Sequence, residues 1–114
     1  MSECLFCKIA RKEIPAAIVY EDDTLLAFRD IAPQAPVHIL IIPKVHCESL
    51  ADLTPETAAA AARIPQIAAG LAVEQGLQAS GWRLASNCGV DAGQVVYHLH
   101  FHLLGGKPLG RLCR

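Results

Sequence analysis

Hydrophobic positions recur along the chain at spacings that pass from helical to alternating and back. Leu5, Phe6, Ile9 and Ala10 fall at helical spacing ahead of Ile14-Pro15. A residue before proline is pushed out of the α region, so the pattern predicts a short N-terminal helix of about two turns ending near Glu13. Residues 18–20 and 24–28 are rich in strand formers and are separated by the polar turn Glu21-Asp22-Asp23, which predicts an antiparallel hairpin. A proline-bearing loop follows at 30–36. His38-Ile39-Leu40-Ile41-Ile42, bounded by Pro36 and Pro43, is too brief for a helix and reads as a buried strand.

Thr54-Pro55-Glu56 then supplies an N-cap, a proline at the first helical position and an early acid. The helix they open is expected to reach about Glu74, with Gly76 closing it. Pro65 should kink it, because proline removes a backbone donor and clashes with the preceding turn. Residues 81–88 and 95–104 read as two further strands around a loop at 89–93. Five strands with a long helix between the third and fourth predict an α+β domain built on a mainly antiparallel sheet.

Composition narrows the class of protein. With 114 residues, 53% of them hydrophobic, the chain can bury one core and is too short for two ordinary domains. Ten Lys and Arg against eleven Asp and Glu are scattered and leave a net charge of -1, which argues against binding a nucleic acid duplex. Arg63 and Glu74 interrupt the most apolar stretch and no charged-then-apolar leader opens the chain, so neither a membrane span nor a secretion signal is expected. Five cysteines, an odd number, in an aliphatic-rich chain point to reduced thiols and a cytoplasmic location, with Cys47, Cys88 and Cys113 free.

Chemistry concentrates near the C-terminus. His98, His100 and His102 alternate with Leu99, Phe101 and Leu103, and on a strand of period two this lines one face with three imidazoles. One ion cannot hold all three: four residues of strand span roughly 13 Å, against metal-nitrogen bonds of about 2.0–2.1 Å. The spacing leaves open one two-histidine metal site or several separate tasks. A neutral imidazole, with a free pKa of about 6.5, is also a nucleophile that needs no separate activating base near pH 7.

His98-Leu99-His100-Phe101-His102-Leu103-Leu104 resembles the His-x-His-x-His-x-x signature of the histidine triad nucleotide-binding proteins. Phe6-Cys7-Lys8-Ile9, Glu13-Ile14-Pro15, residues 19–23 and 27–36, Ile41-Ile42-Pro43-Lys44 and Gly93-Gln94 ahead of Val96-Tyr97-His98 are similar to its Hint branch in particular. The resemblance spans nearly the whole chain and implies one histidine triad domain over 1–114, with two helices and five strands. It implies a homodimer with a continuous ten-stranded sheet, acting as a hydrolase of purine nucleoside phosphoramidates or aminoacyl-adenylates.

By position in the motif, His100 is the implied nucleophile, passing through a nucleotidyl-histidine intermediate. Its other ring nitrogen needs an orienting partner, a backbone carbonyl or a neighbouring histidine. The resemblance assigns His102 and His38 to the same cluster, holding phosphate oxygens and arranging protons. It assigns Asp30, beside Ile31, to the ribose hydroxyls, although the local sequence of Asp30 reads equally as a loop cap. Asn87 and the Gly93-Gln94-Val95 backbone correspond to phosphate-side contacts. Val95 departs from the serine that many members carry and offers the leaving group no hydroxyl. The tail after Gly105-Gly106 is short.

Cys4 and Cys7 have a spacing that suits tetrahedral zinc, but such a pair alone reads equally as redox chemistry or coincidence. Some bacterial relatives that the chain resembles bind structural zinc with a matching pair of thiols, which implies the ligand set Cys4, Cys7, His46 and His98 and no metal in catalysis. The enzyme reading has two rivals. One is a nucleotide-binding sensor or scaffold with vestigial hydrolase activity, favoured by Val95 and the short tail. The other is a zinc-dependent module in which the histidines all serve metal.

Overall fold

The computed structural model describes residues 4–113; residues 1–3, which belong to the leader reading, and Arg114 at the end of the tail lie outside them. Helix α1 (Leu5–Ala10) is followed by strands β1 (Ile18–Glu21), β2 (Leu25–Arg29) and β3 (Val37–Pro43). Helices α2 (Pro55–Ala61) and α3 (Ile64–Glu74) come next, then β4 (Trp82–Ala85) and β5 (Phe101–Gly105). The strands form one sheet in the order β1-β2-β3-β5-β4, with every neighbouring pair antiparallel. Among the described residues no helix is long and apolar enough to cross a membrane.

Local rules account for the helix ends. Helix α1 stops three residues before the expected Glu13 because Lys12 adopts a left-handed φ of 65°. That conformation lets the amides of Lys12 and Glu13 return to the carbonyls of Ile9 and Lys8, closing the last turn. At Thr54 a reciprocal pair of bonds with Thr57 caps α2, with Pro55 at its start. The expected kink at Pro65 is a break over residues 62–63, with intact helix on either side. Gly76, at φ 76°, ends α3 as anticipated, and the Leu77 amide reaches the Ala72 carbonyl. Arg63, at the break, donates to Asp22 Oδ2 at 2.6 Å and to Thr24 Oγ1 at 2.9 Å, tying the helix junction to the β1-β2 turn.

Alternation along β2 and β3 divides the interior into two. Leu25, Ala27, Ile39 and Ile41 pack with Ile64, Ala68 and Leu71 beneath α2 and α3. Leu26, Phe28, Leu40 and Ile42 pack on the other face with Phe6 and Ile9 of α1. Leu40 lies opposite His102 in the β3-β5 register, which places His102 on the α1 face.

Two strand boundaries differ from expectation. The fourth strand is confined to Trp82–Ala85 within the expected 81–88. The fifth begins at Phe101, so His98 and His100 precede it and only His102 stands on a strand; the three imidazoles do not share one regular strand face. The cause is long-range. Continuing the Ile41-Phe101 register would set Leu99 opposite Pro43, which has no N–H for the ladder. The Leu99 amide turns instead to the Cys47 carbonyl.

Candidate active site and metal centre

His38, near the start of β3, faces His102 on β5. The Gln34 amide donates to His38 Nδ1 at 3.0 Å, so the His38 proton sits on Nε2 and is donated to His102 Nδ1 at 2.9 Å. His102 must then carry its own proton on Nε2, the atom left to meet a ligand. Burial lowers the pKa of both rings, that of His102 to about 4, which keeps them neutral and preserves this direction of donation. His100 is oriented independently: its Nδ1 donates to the His98 carbonyl at 2.7 Å, leaving an unshared pair on Nε2. The partner is the backbone carbonyl, one of the two alternatives anticipated. Ser86 Oγ donates to the His100 carbonyl at 2.8 Å, a support that no motif in the sequence marks.

Asp30 follows β2 directly, where it caps the loop that begins there. Its Oδ1 accepts the Ala32 amide at 2.8 Å, and its Oδ2 lies 3.5 Å from His38 Nε2. An ionised carboxylate retains further acceptor positions for hydroxyls. Ile31 beside it is almost wholly exposed. Both belong to the lining of a cavity of about 270 Å³ whose other walls include Phe6, Ile9, Phe28 and Leu40. The contribution of α1 to this cavity was not anticipated; the surplus of apolar positions in a six-residue helix is its only trace in the sequence.

The loop at 89–95 is braced from within: the Gly93 amide donates to the Val90 carbonyl and the Gln94 amide to the Gly89 carbonyl. The buried Gln94 side chain is structural: Oε1 accepts from the Gly89 amide, and Nε2 donates to the carbonyls of Glu48 and Val96. The Val95 amide is left without a partner among the described residues, and its side chain is 85% exposed. Asn87 is half-buried beyond the end of β4.

Cys4, Cys7, His46 and His98 converge, with one donor atom from each within 4.8 Å of the others. Cys4 Sγ lies 3.3 Å and Cys7 Sγ 3.5 Å from His98 Nδ1, while His46 Nδ1 is 3.3 Å from both Cys7 Sγ and His98 Nδ1. Tetrahedral zinc, with bonds of about 2.05 Å to nitrogen and 2.3 Å to sulfur, has nitrogen-nitrogen edges near ~3.3 Å and nitrogen-sulfur edges of about 3.5–3.6 Å. The donor set therefore fits a metal such as zinc. His98 is fully buried, and its Nε2 donates to the Pro43 carbonyl at 2.8 Å, which leaves the Nδ1 lone pair facing the thiols. Burial, reinforced by Cys4, raises the Cys7 thiol pKa in the protein alone; a cation reverses that preference. Asp30, His38 and His102 also lie close enough together to hold a cation, but the directed hydrogen bonds already satisfy the ring nitrogens that meet there.

Residues 11–109 match the HIT domain model, and the chain belongs to that family. It is 50% identical over 108 residues to the purine nucleoside phosphoramidase of Escherichia coli strain K12, an alignment covering 95% of this chain and 91% of that relative. A HIT family hydrolase from Legionella pneumophila Philadelphia 1 superposes with a TM-score of 0.90 at 50% identity, covering 95% of this chain and 96% of the other. A histidine triad protein from Clostridium difficile gives 0.92 at 46% identity, covering 97% and 96%.

Proposed function

We propose that the chain is a purine nucleoside phosphoramidase, a hydrolase that releases a nucleoside monophosphate in two displacements at phosphorus. The observation that carries this is the tautomer pattern: a bare Nε2 on His100 beside a proton-bearing Nε2 on His102. Identity of 50% to the Escherichia coli phosphoramidase over nearly the full length supports the reaction class. In the first displacement His100 Nε2 bonds to the α-phosphorus as the phosphorus–nitrogen bond breaks, and the departing nitrogen takes a proton from solvent to leave as the amine. His102 Nε2–H donates to a phosphoryl oxygen as charge develops, its direction set by His38. In the second, water bonds to phosphorus and releases a proton to solvent as the bond to Nε2 breaks, returning His100 to its neutral starting form. Aminoacyl-adenylates fit the same scheme, with a carboxylate leaving in place of the amine. Rapid-mixing hydrolysis of adenosine 5′-phosphoramidate should show a burst of amine equal to the enzyme present; the absence of turnover would favour a nucleotide-binding sensor.

The apolar cavity takes the purine and Asp30 the ribose hydroxyls. Asp30→Ala should therefore raise KM for the ribonucleotide and narrow its advantage over the 2′-deoxy analogue, by about tenfold for the loss of a charged hydrogen-bond acceptor. An unchanged ratio between the two sugars would remove Asp30 from the site. With valine at 95, the backbone amide is the donor available there to the leaving group.

Zinc is the metal proposed for Cys4, Cys7, His46 and His98, where it would tie α1 to the loop before β5. About one equivalent per chain is expected, with a lower Tm after chelation and loss of metal on acidification as the ligands protonate. Protein prepared without chelator that holds no metal would refute this assignment. We also propose a homodimer formed through the outer edge of β4, where Trp82 is partly exposed and no strand pairs. Sedimentation equilibrium at the monomer mass across micromolar concentrations would exclude it.

A further inference from the structure

The metal cluster, the apolar cavity and His100 meet through one short helix. Helix α1 is six residues long, far below the length at which a helix holds by itself, so side-chain anchors keep it in place. Its N-cap is Cys4 and its third residue is Cys7, both members of the metal cluster. Between them in sequence, Phe6 lines the cavity and sets its ring edge-on to Phe28 at 5.5 Å, to His100 at 5.1 Å and to His98 at 5.9 Å. Leu5 and Ile9 from the same helix complete that wall.

We propose that the metal bound by Cys4, Cys7, His46 and His98 builds the nucleobase wall, so that metal and nucleotide bind with positive coupling, with Phe6 as the positioning residue between them. The inference rests on the nucleotide reading above. Removing the metal frees both thiols at the start of α1, and Leu5, Phe6 and Ile9 lose their fixed place against Phe28 and Leu40. Asp30, His38 and His102 stand on or beside β2, β3 and β5 and are held by bonds that do not pass through α1. His100 is joined to the metal ligand His98 through its carbonyl, but His98 is held separately by the Pro43 carbonyl, so coupling should act on the base and spare the sugar phosphate. Linkage requires that the nucleotide strengthen metal binding by the same factor.

The test is calorimetric titration of AMP and of ribose 5-phosphate into zinc-loaded and chelator-stripped protein, with far-UV circular dichroism recording the fold. AMP should bind the stripped protein about fivefold or more weakly, while ribose 5-phosphate changes by less than about twofold. Chelator competition should show AMP tightening zinc by the AMP factor. If stripping unfolds the chain, Cys4→Ser gives the same comparison, since serine keeps an N-cap acceptor for the Cys7 amide while weakening the metal site. Equal AMP affinity in both forms overturns the coupling, and a parallel loss of both ligands overturns the route through the wall. Failure of the loaded protein to bind AMP at all overturns the nucleotide reading together with this inference.

Discussion

Replacing His100 by glycine or alanine is expected to lower kcat by on the order of 10³-fold or more while AMP binding stays measurable. The expectation follows from how separately the site's parts are held. His100 is oriented by the carbonyl of His98, whereas the His38-His102 pair takes its direction from the Gln34 amide. Removing the His100 ring therefore deletes the atom that bonds to phosphorus and leaves the donors and acceptors around the nucleotide in place. Either substitution also removes the Nδ1–H that satisfies the His98 carbonyl, so both variants should be compared with the wild-type protein for stability before their rates are interpreted. Single-turnover measurement with adenosine 5′-phosphoramidate and calorimetry with AMP check the two halves. Turnover at the wild-type rate would exclude His100 as nucleophile.

The features legible in the sequence are those governed by neighbours along the chain. Thr54 and Pro55 announce a helix start, Pro65 a break and Gly76 an end, because each acts through its own φ or its own missing donor. The β1-β2 hairpin is visible for the same reason, with Asp22 accepting from the Thr24 and Leu25 amides. The beginning of β5 is not visible, since alternation from 98 to 104 satisfies strand period while the residue that ends the ladder, Pro43, is distant in sequence. The structural part played by the Gln94 side chain is hidden for a related reason: the groups that satisfy its amide belong to Glu48, Gly89 and Val96. The alternating histidines at 98, 100 and 102 are legible by type and spacing, whereas His38, His46 and the thiols gain their meaning only from the family resemblance. Which nitrogen of each ring carries the proton follows only from contacts across the sheet.

Acidification should destabilise the protein through His102, and the sign can be derived from its surroundings. Burial, assisted by the imidazoles of His100 and His38, pushes the pKa of His102 down to about 4 in the folded chain, against about 6.5 for a free imidazole. Above pH 6.5 the ring is neutral in both folded and unfolded chains, and stability does not depend on its titration. Between 6.5 and about 4 the unfolded chain takes up a proton that the folded one refuses, so stability falls steadily as pH falls. Below 4 both forms are protonated and the loss levels off. His98 is also pushed down to about 4 by burial and contributes with the same sign, as does metal release, so the wild-type profile alone cannot isolate His102. His102→Gln can: its side-chain oxygen can still accept from His38 Nε2, and it does not titrate. Urea unfolding of both proteins from pH 7.5 to 4.5 should give a flatter profile for the variant, with the difference growing toward acid. Parallel profiles would mean that folded His102 binds its proton as readily as the unfolded chain does. In that case the neutral pair that directs its Nε2–H toward phosphate would already be lost near pH 6.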